Sequence, residues 1–235
     1  MDAAPASILH QSSPADARAG LATVALAEIL ALGFFVSVAL PYLLLDPTVL
    51  ARYEPRRAWL LVHVAAGGVA LLTGPVQLWL GISRRAPHVH RRLGLAYVSA
   101  VAAGSVAAFY LAAHTSLGWG FAAGITSLGL AWVATTTLAI AAVRRGLIDQ
   151  HRQWMIRSYV LTFAFVTFRA MITLLQAAQV GTRAEQFAMA SWFCWAVPLL
   201  VVESVIQGRR IFGRGAQAPL TVRVTRQDAR VSAAR

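Results

Sequence analysis

Six stretches of about twenty apolar residues, separated by short segments that carry arginine, constrain this chain more than any other feature. They cover residues 21–45, 58–80, 93–113, 119–143, 158–178 and 187–206. At 1.5 Å per residue, about twenty residues span a hydrocarbon layer of about 30 Å, and soluble core helices are usually shorter. A composition 58% hydrophobic and only 13% charged also excludes an ordinary soluble domain. The expected fold class is therefore all-α: a polytopic transmembrane helical bundle of six helices over residues 21–206. Residues 1–20 are small and polar and are expected to be a disordered cytoplasmic N-terminus. They lack the basic start of a secretory signal, and the apolar run behind them is too long for a signal core. Residues 207–235 form an arginine-rich tail without apolar periodicity, expected to be disordered and cytoplasmic.

Charge sets the orientation. All 21 basic residues are arginine, and the net charge is +12. In a soluble protein that excess would point to nucleic acid. Here the arginines flank apolar spans, so orientation and anionic lipid headgroups account for them, and no nucleic-acid partner is expected. The N-terminal segment and the loops after spans two, four and six hold 16 arginines, against four in the loops after spans one, three and five. The positive-inside rule then puts both termini in the cytoplasm of a multi-pass cell-membrane protein. Cys194 is the only cysteine, which excludes an intrachain disulfide and a cysteine-based metal cluster. Inside SWFCW it reads as inert packing.

The fifth span carries a polar stripe. In HRQWMIRSYVLTFAFVTFRAMITLLQ, residues 151–176, six polar residues fall within about 40° of one helical line: His151, Ser158, Thr162, Arg169, Thr173 and Gln176. Arg169 would lie about 12 Å below the outer face, where an arginine costs at least about 2.5 kcal/mol unless it faces the bundle interior and finds a partner. His63 would lie about 7 Å below the same face. The second span sets His63, Gly67, Ala70, Gly74 and Gln77 on one face, and Gly74-Pro75 is the one place where a span could be broken. The fourth carries Gly120-x-x-x-Gly124; small residues of this kind let helices, or a flat ligand, approach closely.

Two loops resemble one another. RRAPHVHRRLGLAY starts at Arg84 and RRGLIDQHRQWMIRSY at Arg144, each with an arginine pair, a His-Arg and a later tyrosine. Spans two–three and four–five would then be parallel repeats, with His90 and His151 equivalent near the cytoplasmic face. Chance similarity of arginine-rich loops is the alternative. With HVAAGGVALLTGPVQ from His63, HRRLGLAY from His90, Trp132, and HRQWMIRSYVLTFAFVTFR from His151 to Arg169, the chain resembles a bacterial family of predicted membrane proteins, domain of unknown function 2306. The resemblance covers roughly residues 60–175; it implies a helical membrane bundle and brings no reaction with it. His88 and His114 lie outside its pattern.

Three functions suit these residues. A b-type cytochrome would use His90 and His151 as axial ligands of haem iron, with Gly94 and Gly104 making room and Arg91, Arg152 or Arg157 meeting the propionates. His63 would serve a second, outer haem, with only His114 as partner. Such a protein needs a redox partner. A small transporter or binding bundle would instead use Arg169 to attract an anionic group. Glu28, Glu203 and the histidines would handle protons, and Ser158, Thr162, Tyr97 and Trp154 would line the site. The third reading is a structural or assembly subunit, such as a homo-oligomer, in which the histidines cap helices, Trp154 anchors at the interface and Arg169 fixes packing. Hydrolases are disfavoured: HExxH, GxSxG, glycine-rich phosphate loops and paired carboxylates at helical spacing are all absent.

Overall fold

A computed structural model describes residues 14–83 and 85–212. Six helical stretches among them are long and apolar enough to cross a membrane, and the described residues contain no strand. Helix α1 (Pro14–Phe34) passes through a π turn, Phe35–Ala39, into the short α2 (Leu40–Leu43), and together these make the first span. Leu45, at φ 60°, turns the chain, and Asp46 caps α3 (Pro47–Leu50) by accepting from the Thr48 N–H at 2.9 Å. A 3-10 turn, Ala51–Arg56, leads into α4 (Arg57–Ser83). Then come α5 (Pro87–Ala113), α6 (Trp119–Arg144), α7 (Ile148–Thr162), α8 (Ala164–Ala177) and α9 (Arg183–Phe212). Residues up to Leu199 form one compact unit, and a second begins at Leu200. Of the two expected disordered ends, residues 1–13 and 213–235 lie outside the described residues, while 14–20 and 207–212 are helical.

Helices begin earlier than their apolar runs, as the third and fifth spans show. The third starts at Pro87 rather than 93, and the fifth at Ile148 rather than 158. Arginine is a good helix former, and its long stem can run along apolar surface while the head stays in water, so charged first turns do not stop a helix. His90, Arg91, His151, Arg152, Trp154 and Arg157 therefore sit on helices rather than in loops.

Within the first unit α4 packs along α5, α6 along α7, α5 along α6, and α4 crosses to α7, while α1 lies against α4. The core between them is Ala66, Ala70, Tyr97, Ala100, Val101, Trp132, Tyr159 and Leu161. Small residues set the spacing as expected in the fourth span. A Cβ on Gly124 would run into Ser191 of α9, and one on Gly120 would press Ala188 at 3.3 Å. That is the close helix contact for which small-xxx-small patterns are used.

The fifth span supplies hydroxyls to its neighbours. A proline inside a helix has no N–H for the carbonyl four residues back. Pro75 orphans the Leu71 carbonyl in α4, and the Tyr159 hydroxyl of α7 donates to it at 3.3 Å. Gly74 makes room, since a Cβ there would enter the Tyr159 ring. Pro198 orphans the Cys194 carbonyl in α9, and the Thr167 hydroxyl of α8 donates to it at 2.7 Å. Helix α4 stays continuous through Gly74-Pro75, so the helix break considered there does not occur. The break lies in the fifth span, at Phe163. There the Thr162 hydroxyl bonds back to Ser158 O at 3.0 Å, and Val166 N–H reaches Phe163 O in a three-residue turn. Back-bonding hydroxyls of this kind bend helices.

Candidate functional site

The bend splits the polar stripe. Ser158 and Thr162, before it, are fully buried, whereas Arg169, Thr173 and Gln176, beyond it, are exposed. The buried half belongs to a closed network. The Tyr97 hydroxyl lies 2.8 Å from both Ser158 Oγ and Thr162 Oγ1, Trp132 Nε1 donates to Thr162 Oγ1 at 2.9 Å, and Thr136 Oγ1 lies 2.8 Å from Ser158 Oγ. One assignment satisfies every donor. Trp132 and Tyr97 donate to Thr162, Thr162 to the Ser158 carbonyl, Thr136 to the Trp132 carbonyl at 2.8 Å, and Ser158 to Thr136. Nothing in it is left over for a ligand. Its work is to join α5, α6 and α7.

One end of the bundle carries His90 and His151, each the fourth residue of its helix, α5 and α7. They lie within electrostatic reach of one another. His151 donates from Nδ1 to the Ala139 carbonyl at 2.9 Å, which leaves Nε2 with its lone pair. Gln77, buried at 5% exposure, donates from Nε2 to the His90 carbonyl at 2.6 Å. Gln77 Oε1 and His90 Nδ1 are buried without a partner among the described residues. The space beside Gly94 is filled by the Gln77 amide, and that beside Gly104 by Ala66 and Trp132. Arg91 and Arg152 are exposed at this end, while Arg157 is buried with its guanidinium 4.7 Å over the Trp154 ring. Glu28 of α1 is half-buried, within electrostatic reach of Tyr159, and its Oε2 has no partner among the described residues. Glu203 accepts from Gln207 Nε2 at 2.6 Å within α9.

The opposite end opens into a cavity of about 670 Å³. Its walls are apolar and aromatic, including Phe35, Phe165, Phe168 and Phe187, and it reaches inward to Trp132. His63 lines it, donating from Nδ1 to the Gly104 carbonyl at 3.1 Å and leaning on the Phe165 ring at 5.2 Å. Three arginines line it as well: Arg56 from the 3-10 turn, Arg169 from α8 and Arg183 from α9. Arg56 donates to the His114 carbonyl, and Arg183 lies 5.5 Å over Phe187. The Arg169 guanidinium makes no hydrogen bond or ion pair with any described residue. Arg169 is exposed and lines the cavity.

Among the described residues no carboxylate lines this cavity, and the nearby acids are engaged elsewhere. Glu54 pairs with Arg57 at 3.9 Å, and Glu185 caps α9 through Thr182 at 2.7 Å. Asp46, in the loop after the first span, is held by the Thr48 hydroxyl, then by the Thr48 N–H, below the ordinary carboxylate range. His63 and Arg169, the pair expected from depth, do line one chamber. His114 turns aside, its ring stacked on Tyr110 at 4.3 Å and its Nδ1 on the Tyr110 carbonyl. Arg56 and Arg183 were missed by the sequence reasoning. The signal was their position, because arginines on the arginine-poor side are not explained by orientation. No group of three or more metal-binding side chains occurs among the described residues.

Comparison with known proteins adds the family. No curated protein and no solved structure matches the chain. The profile described as predicted membrane protein (DUF2306) matches residues 60–206, more than half of the chain, and this sequence belongs to that family of membrane proteins.

Proposed function

We propose that this protein is a membrane-embedded binding bundle for an anionic ligand, with transport of that ligand as the corresponding activity. The observation that carries the reading is the convergence of Arg56, Arg169 and Arg183, from three separate elements, on one apolar cavity whose described lining holds no carboxylate. Cationic side chains at membrane depth are costly, and in a low-dielectric chamber an anion is the partner that repays them. By the positive-inside rule the cavity lies on the outer side and the histidines on the cytoplasmic side. The test is a thermal-shift panel of anionic ligands and neutral analogues on wild type and Arg169→Gln. Anions should raise the wild-type midpoint, by about 2.7 kcal/mol of stability at a hundredfold excess over Kd, and should leave the variant unmoved. Equal responses from both proteins would refute the assignment. So would a variant that simply unfolds, since Arg169 would then be part of the packing.

Haem b is the second reading, favoured by the matched positions of His90 and His151, the free Nε2 of His151 and the unpartnered Nδ1 of His90. Both rings would have to bind one iron, with Arg91 and Arg152 available to propionates. The room beside Gly94 and Gly104 is already taken, so the slot would have to open elsewhere. A dithionite-reduced spectrum of protein expressed with ample haem decides it. The absence of a Soret band removes the cytochrome, and a band that survives His90→Ala removes this ligand pair.

A further inference from the structure

The cavity is far larger than its arginines need. A water molecule's share of liquid volume is about 30 Å³, so 670 Å³ corresponds to about twenty such volumes, where a bare phosphate or small carboxylate would fill only a few. Most of the remaining wall is apolar. Leu60, Leu128, Phe165 and Phe168 line it, with His63 among them. One side of the chamber is formed by the first span, through Phe34, Phe35, Val38 and Tyr42. That span is thinly packed: among residues 20–43 only Ala31 and Ala39 are buried, and Leu26, Ile29 and Val36 are exposed on it. A single, thinly packed helix thus forms that wall, and the lining combines three arginines with mainly apolar and aromatic side chains.

We infer that the ligand is a membrane amphiphile, a single acyl or prenyl chain bearing a phosphate or carboxylate, with its head at Arg56, Arg169 and Arg183 and its chain between Phe35, Phe165 and Leu128. This rests on the anion-binding reading and adds the chain to it. The tail contributes by leaving water, and the head by charge-assisted hydrogen bonds to arginine, which fix its orientation. Binding of this kind needs both halves of the ligand, so neither inorganic phosphate nor an uncharged chain should substitute.

The experiment uses the full chain in phosphatidylcholine nanodiscs, with radiolabelled dodecyl phosphate as probe and empty nanodiscs as blank. Saturable binding above the blank is expected, weakened about tenfold by Arg169→Gln through loss of a charge-assisted hydrogen bond. Leu128→Trp, which fills the chamber without touching an arginine, should abolish it; Ile125→Trp serves if that variant does not fold. Millimolar inorganic phosphate should not compete. If it competes as well as unlabelled dodecyl phosphate, the amphiphile inference fails and the anion site stands. If dodecanol competes equally, or if no saturable binding occurs, both fail.

Discussion

Tyr159→Phe offers a direct test of how the bundle tolerates its interior prolines. The Tyr159 hydroxyl donates at 3.3 Å to Leu71 O, the carbonyl that Pro75 cannot serve, in a place where Leu71 is 1% exposed. Removing the hydroxyl leaves that carbonyl without a donor. A buried unsatisfied group costs about 1–3 kcal/mol. Inter-helix hydrogen bonds in membranes average nearer about 0.6, and 3.3 Å is long for such a bond, so a loss of about 1 kcal/mol is expected. For a chain of this size that is about 2–4 °C in Tm. Pro75→Ala changes the accounting. Helix α4 already runs unbroken through position 75, so alanine returns an N–H aimed at Leu71 O. In that background Tyr159→Phe should cost almost nothing, a coupling of about 1 kcal/mol from the four-protein cycle. Thermal unfolding in detergent, followed by circular dichroism, measures all four. Equal costs of Tyr159→Phe in both backgrounds would refute the reasoning. The same cycle on Thr167→Val and Pro198→Ala should show a coupling at least as large, because that bond is shorter, at 2.7 Å.

Three further outcomes follow from other contacts. Thr162→Val deprives Trp132 and Tyr97 of their shared acceptor and should cost about 2 kcal/mol, whereas Thr136→Val removes one donor and should cost about half of that; equal losses in thermal unfolding would contradict the closed network. Gly124→Val drives a side chain into Ser191 and should lower Tm by several degrees, while Gly20→Val, with nothing near its Cβ, should change it little. The Asp46 carboxyl has a depressed folded pKa, so its contribution is present above the unfolded value of about 4 and is lost as pH falls through the folded one. The Thr48 amide should therefore lose hydrogen-exchange protection on acidification in wild type, and should hold it in Asp46→Asn, whose amide oxygen still accepts; a flat wild-type profile would contradict this.

The spans were legible because a 30 Å hydrocarbon layer demands runs that nothing else in a protein requires. The Gly120/Gly124 contact was legible because small residues four apart let a neighbouring helix approach closely. The helix starts at Pro87 and Ile148 were hidden, since an apolar run marks where lipid begins and not where hydrogen bonding begins. The proline pairs were half legible. Pro75 and Pro198 identify the carbonyls they orphan, Leu71 and Cys194, but only tertiary packing decides which hydroxyl answers.

Arg169 shows why a helical wheel can group the right residues and still misplace one of them. A wheel at about 100° per residue assumes a straight helix, and over the 18 residues from His151 to Arg169 a single short turn changes the facing of everything beyond it. The turn at Phe163 comes from Thr162, itself a member of the stripe, bonding back to Ser158. The polar character that made the stripe conspicuous therefore also divides it. Ser158 and Thr162 spend their hydrogen bonds on holding α5, α6 and α7 together, and Arg169 is turned into a chamber where no described residue neutralises it. A rigid wall on one side of the bend and, on the other, a charge that no described residue answers are the two things the proposed anion site requires.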